Sequence, residues 1–152
     1  YEYVLYNKKI YDKNDVFIRD IDQNRDPLVN LIKENSQFHT LIFCSSRKLC
    51  EKIAFELAEK MAFHTEQQTD EIMRKHAMHL EGMKERFKAK LKLCGYNNKK
   101  QQLINLIDRG IAFHHAGLKT EERVVIEEAY KCGVVKALAC TTTLSAGVNF
   151  PV

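Results

Sequence analysis

These 152 residues predict an α/β domain built on a parallel sheet, and three observations carry that prediction. Thr40-Leu41-Ile42-Phe43-Cys44, Ile111-Ala112-Phe113-His114 and Val134 to Cys140 are short, continuous apolar runs, the pattern of strands covered on both faces. Each run stops abruptly at small or polar residues. The connections between them are too long for hairpins and contain apolar residues at helical spacing, which calls for parallel strands with right-handed crossovers.

The elements follow in order. Tyr1, Tyr3, Val4, Leu5, Tyr6 and Ile10, set among polar residues, read as short strands with a turn at Asn7-Lys8. Asp20 to Asp26 imitates the start of a calcium loop but fails it. Arg25 stands where glycine is needed and Leu31 where the bidentate glutamate belongs, so a solvated turn is expected. Pro27 suits the first turn of a helix with Leu28, Leu31 and Ile32 on one face. After the 40–44 strand, Ser46 is an N-cap, and Leu49, Cys50, Ile53, Leu57, Ala58 and Met61 form the stripe behind it.

A second helical pattern runs from about 66 to 93, with Ile72, Met73, His76, Leu80, Met83, Phe87 and Leu91 on one stripe. Its C-terminal half carries Lys84, Arg86, Lys88, Lys90 and Lys92. That charge is either a solvated face favoured by the helix dipole or a surface approaching nucleic acid. Gly95 and Asn97-Asn98 break the pattern before a short helix containing Leu103, Ile104 and Ile107. Beyond the 111–114 strand, Thr120 is the expected cap of a helix with Glu121 and Glu122 in its first turn. Val125, Ala129 and Cys132 supply its stripe, and Gly133 ends it.

Composition sets the class. An apolar fraction of 45%, a charged fraction of 29% and a net charge of +4 describe one globular domain that permits a nucleic-acid partner without requiring it. No apolar run approaches the roughly 20 residues needed to cross a bilayer, so no membrane is expected. The opening residues lack the regions of a signal peptide, and the missing initiator Met points to a piece of a longer chain. Five widely spaced cysteines form no zinc or disulfide pattern and are read as small buried hydrophobes. His76 and His79 lie three apart without a third ligand, so no metal is expected.

Ligands of an open parallel sheet bind beyond the carboxyl ends of its strands. Here those ends carry Ser45-Ser46-Arg47, His114-His115-Ala116-Gly117 and Thr141-Thr142-Thr143. Hydroxyls, backbone N–H groups and a nearby cation suit a phosphate backbone, although serine and threonine after a strand also serve simply as caps. No enzyme constellation is complete: the sequence has no GxxxxGK[ST] loop, no DExH or DExD pair and no G-x-S-x-G elbow.

Gly110-Ile111-Ala112-Phe113-His114-His115-Ala116-Gly117-Leu118, followed by Glu121-Glu122-Arg123, resembles motif IVa of superfamily 2 DExH helicases, in the group containing helicase Q and the helicase domain of DNA polymerase theta. Cys140-Thr141-Thr142-Thr143-Leu144-Ser145-Ala146-Gly147-Val148-Asn149-Phe150-Pro151 resembles motif V of that group. Leu41 to Arg47 with Cys50-Glu51-Lys52 resembles motif IV. Glu2-Tyr3-Val4 and Lys9 to Asp12 resemble the linker between the two helicase lobes. Glu127 to Tyr130 and Cys140-Thr141 lean toward helicase Q.

The resemblance implies a RecA-like parallel sheet flanked by helices: an inter-lobe linker and N-terminal strands at 1–24, then the C-terminal RecA-like lobe at 25–152 with a helical insertion about 65–100. It implies one motor lobe of an ATP-dependent 3′–5′ DNA helicase acting in DNA repair in the nucleus. Its partners would be single-stranded or forked DNA and the first RecA-like lobe of the same polypeptide. ATP and Mg2+ would be held mainly by that first lobe. By the same resemblance Thr141, with Thr142 and Thr143, faces the strand, and Gly147 and Asn149 turn toward ATP. Arg123 meets a backbone phosphate, His115 and Gly117 shape the loop before it, and Ser45, Ser46 and Arg47 border the strand. Motif VI, with its arginines, is absent from these residues, so the chain alone is expected neither to hydrolyse ATP nor to unwind DNA. The readings from other classes are a non-motor scaffold or binding module derived from such a lobe, and an unrelated α/β enzyme whose loops mimic motif V.

Overall fold

The computed structural model describes residues 3–6, 9–12, 14, 17–20, 27–35, 38–61, 71–95 and 99–141. The chain divides into two compact units, 1–36 and 37–152.

In the first unit, β1 (Tyr3–Tyr6), β2 (Lys9–Asp12) and β3 (Phe17–Asp20) form an antiparallel sheet in that order. Tyr3 pairs with Asp12 and Tyr6 with Lys9, which leaves two residues between the strands, the positions expected to turn. Those two lie outside the described residues, as does 21–26, where the failed calcium loop falls. The register between β2 and β3 shifts at Ile10/Tyr11, an irregularity that bends the strand. Helix α1 (Pro27–Glu34) begins at Pro27 as expected. Its fully buried positions are Val29 and Ile32, with Leu28 and Leu31 only half-buried, so the apolar face is turned from the expected one.

The second unit holds the parallel sheet that the strand pattern predicted, and with its helices it is consistent with the α/β RecA-like fold that the resemblance implied. Its elements are β4 (Thr40–Phe43), α2 (Arg47–Lys60), α3 (Glu71–Leu93), α4 (Lys100–Asp108), β5 (Ile111–His114), α5 (Thr120–Lys131) and β6 (Ala137–Cys140). The strand order is β4-β6-β5, all parallel, so β6, last in the chain, lies in the middle. Phe43 and His114 both pair with Cys140, which brings the carboxyl ends of all three strands level. This common register makes one rim of three separate loops.

All four residues of β5 and of β6 are buried. Helices α2, α4 and α5 pack on β5, and α2 also covers β6. The period-two alternation of a strand decides which side chain meets which helix. Phe113 turns toward α2, where its ring meets Phe55 edge-on at 6.1 Å and lies parallel to His115 at 5.5 Å. Burying such a ring stabilises the fold by about 2–3 kcal/mol. The 40–44 run differs from the expected two-face burial. β4 and β5 both flank β6, but α2, α4 and α5 cover β5, whereas the main contacts of β4 among the described residues are with β6, so Thr40, Leu41 and Ile42 are half-buried and Phe43 is 64% exposed.

The helices keep their expected places with local differences. Ser46 caps α2, its Oγ accepting the Leu49 N–H at 3.1 Å. Leu49 itself is exposed, because the first turn of α2 faces the rim. In α5 the N-cap is Lys119, not Thr120. The helix starts one residue earlier than a Thr120 cap allows, and the Glu122 carboxylate accepts the Lys119 N–H at 3.1 Å. Cys132 is exposed because it lies past the last turn, while Tyr130 fills the core instead. Gly133 follows with φ +84, the left-handed conformation expected of the residue ending a helix.

The long helix α3 starts at Glu71, and Ile72 and His76, expected on its stripe, are exposed. Its buried positions begin at Leu80 and continue through Lys84, Phe87 and Leu91. Part of the basic half of α3 is spent on the fold, while Arg86 and Lys92 are exposed. Lys84 donates to Glu81 Oε1 at 2.8 Å and to the Asp108 carbonyl at 2.9 Å. Lys88 pairs with Asp108 Oδ1 at 2.7 Å and with Glu85, which raise its pKa, and Lys90 pairs with Glu128 at 3.4 Å. These cations tie α3 to α4 and α5. No helix among the described residues is long and apolar enough to cross a membrane.

Because Lys84 is 3% exposed and supplies a charged donor to a backbone carbonyl, Lys84→Ala is expected to cost about 2 kcal/mol in urea unfolding. Lys92→Ala, on the exposed side of the same helix, is expected to stay within about 0.5 kcal/mol. Equal losses from the two would contradict a structural role for Lys84.

Candidate nucleic-acid interface

The rim begins where β4 ends. Cys44 N–H bonds the Cys140 carbonyl at 2.7 Å, holding the chain level with β6 before it turns into α2. Ser45, Ser46 and Arg47 are all exposed there. The first turn of α2 contains no acidic residue, so its backbone N–H groups and the Arg47 and Lys48 charges all favour an anion. Helix α5 differs: Glu121 and Glu122 occupy its first turn and compensate its dipole.

The turn after β5 is built around His115, which is 1% exposed. Its Nδ1 accepts the Gly117 N–H at 3.0 Å, so the ring proton sits on Nε2, which donates to Glu51 Oε1 at 2.7 Å. Lys99 Nζ donates to the same Glu51 oxygen. Burial opposes the Glu51 charge, yet the bonds from Lys99 and His115 hold its carboxyl below the usual range. Gly117 is exposed, and its lack of a side chain has a cause. A Cβ there would stand 2.9 Å from the His115 ring and 3.5 Å from Arg47 Nη1. The guanidinium of Arg47 therefore lies beside this turn. His115 shapes the loop from beneath, with both ring nitrogens engaged inside the fold.

His114 points the opposite way. Its Nε2 bonds Glu127 Oε1 at 2.9 Å, and its carbonyl accepts the Thr141 N–H at 3.2 Å. Its Nδ1 is buried without a partner among the described residues. Burial lowers the His114 pKa below 6.5, opposed by the Glu127 bond and assisted by the charge of Arg123. Arg123 stands one turn before Glu127 on the same face of α5. Its Nη2 donates to Thr120 Oγ1 at 3.1 Å, and its Nε is buried without a partner among the described residues. Thr141 is half-buried and tethered to His114.

The second unit thus gathers Ser45, Ser46, Arg47, Gly117, Arg123 and Thr141 along the level ends of three strands, with His115 under them. Thr142, Thr143, Gly147 and Asn149 lie outside the described residues. No group of three or more His, Cys, Asp or Glu among the described residues is arranged to hold a metal ion, and His76 and His79 are exposed on α3.

Three cysteines lie just below the rim. Cys50 Sγ donates to the Ala139 carbonyl at 3.0 Å and, with Cys44 and Cys140, is buried. The hydrogen bond with Cys44 and burial push the Cys50 thiol up, so it stays protonated and inert. Cys94 is half-buried and Cys132 exposed, so only part of the set behaves as core.

Glu51 and Glu127, which hold the two histidines, enter the sequence reading only through the family resemblance, with no role at the site. One signal marks both: each follows a rim arginine by four residues, one helical turn deeper.

The sign of the His114 shift gives a pH dependence. Below its ordinary value of 6.5 the unfolded chain binds a proton that the folded chain refuses. Stability is therefore full above about pH 6.5 and falls as pH drops toward the lower folded value. Urea midpoints at pH 7.5 and 5.5 are expected to show this loss, with a smaller difference for His114→Gln. An unchanged difference in the variant would contradict it.

No known family profile matches the chain. Individual relatives do. The chain is 38% identical over 130 residues to Helicase POLQ-like of Drosophila melanogaster, a match covering 83% of this chain and 11% of that protein. It is 31% identical over 163 residues to DNA polymerase theta of Mus musculus, covering 99% and 6% respectively. It is 35% identical over 112 residues to the ATP-dependent DNA helicase Hel308 of Pyrococcus horikoshii, covering 74% and 14%. The chain thus spans a small part of the length of the relatives it matches. It is homologous to a segment of the superfamily 2 DNA helicases of the helicase Q and DNA polymerase theta group, which its residues 110–123 and 140–151 resemble.

Proposed function

We propose that residues 25–152 are the second RecA-like lobe of an ATP-dependent 3′–5′ DNA helicase of DNA repair, working in the nucleus, with 1–24 leading in from the first lobe and 65–100 as a helical insertion. The rim of the parallel sheet grips the phosphate backbone of single-stranded or forked DNA, and the strand end at Thr141 leads into the loop that reaches ATP. One observation carries this reading. The three strand ends are level, Arg47 lies beside the Gly117 turn at an α2 N-terminus that no acid compensates, Thr141 is tied to His114, and Arg123 acts on the same His114 from the first turn of α5.

The chemistry agrees with the reading. Guanidinium groups and helix N–H donors bind phosphate without reading bases, as translocation along any sequence requires. Thr141 is tethered through its N–H to the His114 carbonyl, and by the motif V resemblance Gly147 and Asn149, which lie outside the described residues, serve the nucleotide. Closure of two lobes around ATP then moves a loop whose other end holds the strand. ATP and Mg2+ are held mainly by the first lobe. The sequence has no phosphate-binding GxxxxGK[ST] loop of its own.

In the full-length protein, Arg123→Gln is expected to weaken single-strand binding equally across sequences and to reduce the salt slope by about one. Unchanged affinity and slope would remove Arg123 from the interface. The isolated 152-residue chain is expected to show no DNA-stimulated ATPase. Measurable stimulated hydrolysis would place the nucleotide machinery within these residues and contradict the two-lobe reading.

A further inference from the structure

A carboxylate is electrostatically misplaced on a surface that binds phosphate. Two like charges repel, and more strongly where water is excluded. Glu51 is nevertheless there, one helical turn from Arg47 on the same face of α2, with 18% of its side chain exposed. An arginine and a glutamate four residues apart on a helix ordinarily pair with each other. Here Glu51 turns instead to His115 Nε2 at 2.7 Å and to Lys99, and Arg47 carries no ion pair among the described residues. Two consequences follow. The His115 ring is held with its bare Nδ1 toward the Gly117 N–H, which sets the turn. Arg47 stays uncommitted and lies against that turn.

We propose that Glu51 is a positioning residue for DNA: it locks His115 so that the 115–117 turn and Arg47 stand ready for one backbone phosphate. The proposal rests on the phosphate-grip reading given above. Glu51 touches no DNA itself. It acts through His115, and Lys99 offsets the charge it brings to the rim.

The test uses the full-length helicase, oligo-dT as DNA, and ATPase rates as a function of DNA and of ATP. Glu51→Ala is expected to raise the DNA concentration for half-maximal stimulation about tenfold, with the ATP KM held within about twofold. Glu51→Gln keeps an oxygen that accepts the His115 proton, so it is expected to stay within about threefold. His115→Phe keeps the ring against Phe113 but has neither nitrogen. It is expected to match Glu51→Ala, and the double variant to be no worse than either single one, the signature of residues acting as one unit. The His115 variant also keeps the test decisive should Glu51→Ala fold poorly.

Unchanged DNA half-saturation in Glu51→Ala and His115→Phe, with a clear rise in Arg47→Ala and Arg123→Gln, would overturn the positioning role and leave the interface standing. No rise in any of the four would overturn the interface itself. A rise in ATP KM parallel to that for DNA would mark Glu51 as merely structural and also overturn the proposal.

Discussion

The second unit depends on how β5 ends. Successive side chains of a strand point to opposite faces, and His114 and His115 use that alternation at the last possible step. His114 is fastened to α5 through Glu127 and His115 to α2 through Glu51. Two buried imidazoles thus bolt one strand end to the helices on its two sides, each through a carboxylate that would otherwise be costly to bury. The His114 carbonyl also accepts the Thr141 N–H, so the same strand end sets where the chain leaves β6. Three loops far apart in sequence take their relative positions from this pair.

The electrostatics divide in a consistent way. Cations that serve the fold are paired: Lys84 and Lys88 with Asp108 and neighbouring glutamates, Lys90 with Glu128, Lys99 with Glu51. At the rim the guanidinium groups of Arg47 and Arg123 carry no ion pair among the described residues. A modest net charge of +4 therefore says little by itself, and what matters is which cations remain uncommitted. Within the basic run along α3, the most conspicuous charge feature of the sequence, Lys84 and Lys88 brace the fold, Lys90 pairs at the surface, and Arg86 and Lys92 are exposed. The two arginines beside the strand ends are the better candidates for phosphate.

Much of the fold was legible, because continuous apolar runs, Ser46, Pro27 and Gly133 each announce a specific local geometry. What was not legible was tertiary. Which strand the helices cover is decided by tertiary packing, which no periodicity reveals, so Phe43 at the end of β4 reads as core and is exposed. Ile72 and His76 keep helical spacing with the stripe of α3, yet both are exposed, whereas Leu80, Phe87 and Leu91 are buried. Strand β3 has just two apolar residues, Phe17 and Ile18, too weak a signal to stand alone. At the site, the strand ends were readable from their small and polar residues. Glu51 and Glu127 were not, since a glutamate on a helix is ordinarily a solvated one. Only the fold shows which histidine each holds.

On the proposed reading, one level rim locked by His114 and His115 receives the phosphate backbone of a single strand. The decisive measurement is a structure of the full-length protein bound to a duplex with a 3′ single-stranded tail. Consecutive phosphates are expected within hydrogen-bond distance of Arg123, of Arg47 with the Gly117 turn, and of Thr141, with both histidine–carboxylate bonds intact. A strand running across α3, with the rim open to water, would rule this grip out.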